Sequence, residues 1–230
     1  MFQRSGRAAA AVLVSLACST AVAASDSPAP LKVVALGDSL TSGHQLPQAQ
    51  AYPALLQKRL DDEKLPFVVV NHGVSGDTTA GGVRRLMAAL AERPQILILE
   101  LGANDGLRGV PVAQVRANLQ QIIEAAQKQG VSVLLCAMDA LPLNGWQYTL
   151  DFHNLYFDLA EQYKVPLVPF LLGGVLGNRE LMSSDGVHPN KDGAKVLADT
   201  IWPYLKPLAE GVAGQVGRSV AGAATKPDTH

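Results

Sequence analysis

Short apolar runs alternate along the chain with longer stretches whose apolar side chains recur every three or four residues. Leu31–Leu36, Phe67–Val70, Ile96–Leu101, Val131–Met138 and Leu167–Phe170 are runs of the first kind. A short, nearly continuous apolar run bounded by turn-forming residues reads as a strand covered on both faces. The stretches between them have helical spacing. Leu55, Leu56 and Leu60 share a face within Pro53–Asp62, and Val83, Leu86, Met87 and Leu90 mark a second helix. The clearest helix is Pro111–Gln129, where Val112, Val115, Leu119, Ile122, Ile123 and Ala126 recur at that period. Pro111 suits its first turn and Gly130 its C-terminal cap. Leu150–Tyr163 reads as helical. A last helix carries Val196, Leu197, Thr200, Ile201, Tyr204 and Leu205, with Pro203 expected to kink it or end it early.

Strands alternating with helices imply parallel pairing through right-handed crossovers. The expected fold is α/β: one three-layer α/β/α, flavodoxin-like domain over residues 31–208, with about five strands in the order 2-1-3-4-5. Residues 25–30 read as a linker. Residues 209–230 are rich in Gly, Ala, Ser and Thr and read as a flexible tail. No internal repeat stands out.

The first 24 residues read differently. Arg4 and Arg7 form a positive head, Ala8–Ala17 is small and apolar, and Ala21-Val22-Ala23-Ala24 suits a cleavage site. That is the pattern of a secretory signal peptide, too short for a stable membrane span. Secretion or export to a periplasm is the expected localisation. Cys18 raises the alternative of a lipid anchor, but Ser15 stands where that signal calls for a large aliphatic residue. Loss of residues 1–24 would remove two positive charges and move the formal net charge from -1 to -3. With 19 basic and 20 acidic residues, charge gives no reason to expect a nucleic-acid partner. Without the leader only Cys136 remains, so no internal disulfide is possible; its apolar setting reads as a buried strand position.

The candidate chemistry lies at the ends of the strands. Ser39, in Gly37-Asp38-Ser39-Leu40, follows the first strand and projects from the carboxyl edge of the sheet. A serine hydroxyl is a weak nucleophile without a base. His188 lies in Asp185-Gly-Val-His188, and the three-residue step lets Asp185 reach back to one imidazole nitrogen. That contact would fix the tautomer and favour the imidazolium formed when Ser39 loses its proton. An oxyanion also needs donors. Asn104, in Gly102-Ala103-Asn104-Asp105, follows the third strand and faces the same crevice. Gly76 and the backbone N–H of Ser39 are the other candidate donors.

These four blocks, Gly-Asp-Ser-Leu around Ser39, Gly76, Gly-x-Asn-Asp around Asn104 and Asp-x-x-His ending at His188, resemble the SGNH/GDSL hydrolases. The resemblance runs from about Leu36 to Pro189. Leu101–Gly109 and Ser75–Thr78 look closest to the bacterial periplasmic branch of multifunctional thioesterase, arylesterase and lysophospholipase enzymes. It implies aryl esters, acyl thioesters and lysophospholipids as substrates; no cofactor and no metal are expected. It also implies that the segment Gly106, Leu107, Arg108, Gly109 and Val110 contacts the acyl chain. Ala103 departs from the branch, which has a second glycine there, and would restrict the loop beside Asn104.

Taken singly, each block has an ordinary reading: Ser39 as a helix cap, Gly37 and Gly76 as turn residues, Asn104 as a loop cap, His188 as a surface histidine. Their coincidence in order favours the chemical reading. Asp38 and Asp105 read as turn-holding residues and Asp77 as the cap of the following helix. His44 is placed to line the pocket without a carboxylate partner. His72 and His153 read as local packing or surface residues. No spacing resembles a zinc site. A carbohydrate acetylesterase with the same triad remains an alternative, as does a non-catalytic flavodoxin-like binding protein with Gly37–Gly43 cradling a phosphate. The sequence does not specify the oligomeric state; a monomer is the expectation.

Overall fold

A computed structural model describes the backbone of residues 30–224. The leader-like segment 1–24 and most of the linker lie outside the described residues. Five strands, β1 (Leu31–Gly37), β2 (Phe67–Gly73), β3 (Ile96–Glu100), β4 (Ser132–Cys136) and β5 (Leu167–Val168), form one parallel sheet in the order β2-β1-β3-β4-β5. All five residues of β3 are buried, as are the last five of β1, because helices cover both faces.

The helices are α1 (Ser39–Ser42), α2 (Tyr52–Asp62), α3 (Thr79–Ala91), α4 (Ala103–Arg108), α5 (Val112–Lys128), α6 (Trp146–Tyr163) and α7 (Lys191–Ala224). α3, α5 and α6 pack side by side, and α2 packs against α7. The stripe Val115, Leu119, Ile122, Ile123 and Ala126 of α5 is fully buried, matching its sequence period. Cys136 is buried in β4.

Three expectations differ from the structure. α7 does not end at Pro203; it runs on through Pro203 and Pro207. Both prolines lie on the exposed face, where carbonyls deprived of a helical donor can bond water. The buried stripe Ile201, Leu205 and Ala209 continues past them on the other face. Consequently residues 209–224 are helical rather than a loose tail, and Val212 and Ala213 pack against the core. The cap of α3 is Thr78, whose side chain accepts from the Gly81 N–H. Asp77 instead pairs with Arg85, at 2.8 Å from Nε and 2.5 Å from Nη2. Arg85 also donates to the carbonyls of His72 and Gly37, tying the ends of β2 and β1 together. Finally, the segment after Gly102 is not a loop but the short helix α4.

Candidate active site

β1 delivers Ser39 as the first residue of α1. Asp38 caps that turn, and one of its carboxylate oxygens accepts from the Leu40 N–H at 2.9 Å. Its other oxygen accepts from the Asn104 side-chain amide at 3.0 Å. Asn104 sits in the first turn of α4, directly after β3, the sheet neighbour of β1. Gly102 makes this turn possible. Its φ is +127°, and a Cβ there would lie 1.9 Å from the Tyr156 hydroxyl. Ala103, the departure expected to restrict the segment, is the first residue of α4 and carries no positive φ.

Across the crevice, His188 Nε2 lies 3.0 Å from Ser39 Oγ. Its Nδ1 lies 2.7 Å from Asp185 Oδ2, while Asp185 Oδ1 accepts from the backbone N–H groups of His188 and Val187, each at 2.9 Å. These hydrogen bonds, the His188 backbone one foremost, lower the Asp185 carboxyl below its ordinary range. Asp185 is therefore an anion at any working pH, and an Nδ1–H donating to it leaves Nε2 free to accept the serine proton.

The turn after β2 is docked on the Ser39 turn. The Val74 N–H donates to the Gly37 carbonyl at 3.1 Å, and Ser42 Oγ meets Ser75 Oγ at 3.0 Å. Gly76, with φ of +79°, follows in that turn, its carbonyl held by the Arg108 guanidinium at 2.9 Å.

A cavity of about 370 Å³ opens from Ser39, Asn104 and His188. Its walls are mostly apolar and include Leu107, Leu141, Phe170, Leu172, Leu176 and Val187. Of the segment expected to touch an acyl chain, only Leu107 lines this cavity. The others face elsewhere: within α4 Gly106 is buried against Ala140 and Arg108 reaches Gly76, and just beyond it Gly109 lies beside Asn144 and the Val110 carbonyl accepts from the Tyr148 hydroxyl.

One residue and one contact escaped the sequence reading. Glu100, the last residue of β3, is fully buried beneath the nucleophile turn. Its Oε2 accepts from Thr41 Oγ1 at 2.6 Å and from the Asp38 N–H at 3.2 Å, and its Oε1 has no partner. Burial, reinforced by Asp38, pushes Glu100 well above the usual carboxylate range, and burial raises Asp38 to about 6. The signal was present: a charged residue inside the otherwise apolar run Ile96–Leu101. The contact is that of His44, expected at the pocket: its ring centroid lies 4.3 Å from that of His188. His44, Asp185 and His188 offer metal-capable atoms within 4.8 Å of one another, although Asp185 and His188 already bond each other. The remaining assignments are local. Asp105 accepts from Thr79 and fastens α4 to α3, His72 lies 3.8 Å from Glu92, and His153 bonds Asp139.

The GDSL-like lipase/acylhydrolase family model matches residues 35–196, which span every residue of this arrangement. The chain belongs to that family. It is 42% identical over 192 residues to Esterase TesA of Pseudomonas aeruginosa, covering 83% of this chain and 96% of that one. It is 38% identical over 175 residues to an Escherichia coli protein named as thioesterase, protease and lysophospholipase, covering 75% and 82%. The crystal structure of TesA superposes with a TM-score of 0.74 at 43% identity, covering 77% of this chain and 99% of that one. As a member of this family the protein is an ester hydrolase.

Proposed function

We propose that Ser39, His188 and Asp185 form the catalytic triad and that the protein cleaves aryl esters, acyl thioesters and lysophospholipids through an acyl-enzyme. The observation that carries this reading is the chain of contacts from Ser39 Oγ through His188 to Asp185, at 3.0 and 2.7 Å. In the first half-reaction His188 Nε2 takes the proton of Ser39 Oγ as that oxygen attacks the acyl carbon. The oxyanion is held by the Asn104 amide and the N–H groups of Gly76 and Ser39. His188 then returns the proton to the leaving alcohol or thiol. In the second half-reaction water replaces the serine, with His188 again as base, and the carboxylic acid leaves.

The substrate class follows from two supports. Relatives bear the names esterase, arylesterase, thioesterase and lysophospholipase. The apolar cavity walls suit an alkyl chain better than a sugar, which favours this reading over a carbohydrate acetylesterase. The leader-like residues 1–24 support export to the periplasm or beyond, and no helix among the described residues is long and apolar enough to cross a membrane.

The test is hydrolysis of p-nitrophenyl esters from acetyl to palmitoyl, with Ser39→Ala alongside. Turnover extending beyond acetyl and abolished in a folded Ser39→Ala protein is the expected result. Retained turnover in that variant would remove Ser39 from the mechanism, and acetyl-only turnover would favour the carbohydrate esterase.

A further inference from the structure

The cavity has an apolar rim that faces water. Leu107, Leu141, Leu176 and Val187 line it and are each roughly half exposed. The rim continues two residues beyond Leu141 into a projecting turn, the 3₁₀ segment Pro142–Asn144 and the start of α6. There Leu143 is 70% exposed and Trp146 68%. From Ala140 to Leu150 the chain carries no charged residue. A tryptophan and a leucine held in water on an uncharged tip lose favourable burial unless something covers them.

We propose that this tip docks the protein on a lipid surface, with Leu143 and Trp146 entering the boundary between headgroups and acyl chains. The proposal rests on reading the cavity as the acyl site. Three observations favour lipid over a protein partner. The tip is continuous with a cavity whose walls suit an alkyl chain, so one apolar phase would meet both. Its composition is that of interfacial anchors, an indole with leucine and no charged residue between Asp139, which lines the cavity, and Asp151. It is also fastened to the catalytic layer: Asn144 Nδ2 donates to the Gly106 carbonyl at 3.1 Å, within the helix that carries Asn104 and Leu107. Docking would therefore set the cavity mouth against the layer from which an acyl ester must be drawn, and the absence of charge makes the attachment insensitive to salt.

The experiment is co-sedimentation of the protein with phosphatidylcholine vesicles, at low and high salt, for the parent, Ser39→Ala and the double variant Leu143→Ser with Trp146→Ser. Hydrolysis of soluble p-nitrophenyl butyrate is measured on the same samples. The expected result is salt-independent binding of the parent and of Ser39→Ala, weakened at least about tenfold in the double variant. Hydrolysis by the double variant should stay within about twofold of the parent, as for substitutions of exposed residues. A parent that does not sediment with vesicles overturns the proposal, and so does a double variant that binds equally well. A concentration-dependent dimer of the parent that the double variant abolishes would also overturn it, by showing that a second copy covers this face. Failure of the triad reading is separate: it would appear as ester turnover by Ser39→Ala, whatever the vesicles show.

Discussion

Asn104 and Glu100 differ in how their roles can be read. Asn104 reaches the cavity while one of its amide hydrogens is bonded to Asp38, which leaves the second available to an oxyanion. Asn104→Ala should therefore lower kcat by about 10²–10³ with little change in KM, because the lost bond strengthens only in the transition state. Steady-state kinetics on a soluble ester checks this, and an equal loss in KM would assign Asn104 to ground-state binding instead. Glu100 acts on stability. Its folded carboxyl holds its proton more tightly than the ordinary value of 4.5, so above that pH the folded chain binds more protons than the unfolded one. Stability at this site is then lost as pH rises through the window from 4.5 toward the raised folded value. Glu100→Gln keeps an oxygen for Thr41 and the Asp38 N–H but has no proton to lose. Its stability relative to the parent should grow between pH 4 and pH 8 in urea unfolding. A gap that is constant with pH would mean that Glu100 titrates in the fold as it does in the open chain.

At the scale of elements, α4 and α7 show where local rules were overridden. α4 has Gly102 before it and Gly106 within it, a composition that reads as loop. It winds because Asp105 is buried and bonded to Thr79 of α3, and because Asn144 donates to the Gly106 carbonyl and Tyr148 to the Val110 carbonyl just beyond the helix. α7 contains two prolines in sequence positions that favour a break, yet tertiary burial of Ile201, Leu205 and Ala209 outweighs the lost helical bonds. Arg59 and Lys206 add ion pairs between α2 and α7, with Asp199 and Glu63 respectively. Removal of residues 209–230 should therefore destabilise the domain, by about 1–3 kcal/mol from the lost burial of Ala209, Val212 and Ala213. Denaturant titration of the truncated chain measures it, and an unchanged midpoint would restore the reading of this segment as a dispensable tail.

For the whole molecule, the sheet order is what assembles the site. With β1 between β2 and β3, the turns that follow all three strands meet at one carboxyl edge, bringing Ser39, Gly76 and Asn104 into neighbouring turns. His188 arrives from 149 residues away, on the segment that precedes α7. The same edge carries the apolar mouth, so chemistry and the proposed lipid contact share one pole of the molecule.

The sequence by itself determined the sheet, its order, the four motif blocks and the places of α2, α3, α5 and α6. Strand and helix periods and cap residues are local and repeat along the chain, and the blocks are short, contiguous patterns. Tertiary structure alone decided the rest. The helical state of 103–108 and the length of α7 depend on burial against distant segments, which no local propensity records. The exclusion of Gly106 and Arg108 from the cavity followed from that winding, and that of Gly109 and Val110 from their contacts with Asn144 and Tyr148. The pairing of Glu100 with the nucleophile turn depends on residues 59 to 62 positions away, and the contact of His44 with His188 spans the domain. A charge in a strand or a histidine in a loop has many solvated fates, and only the packed fold selects one of them.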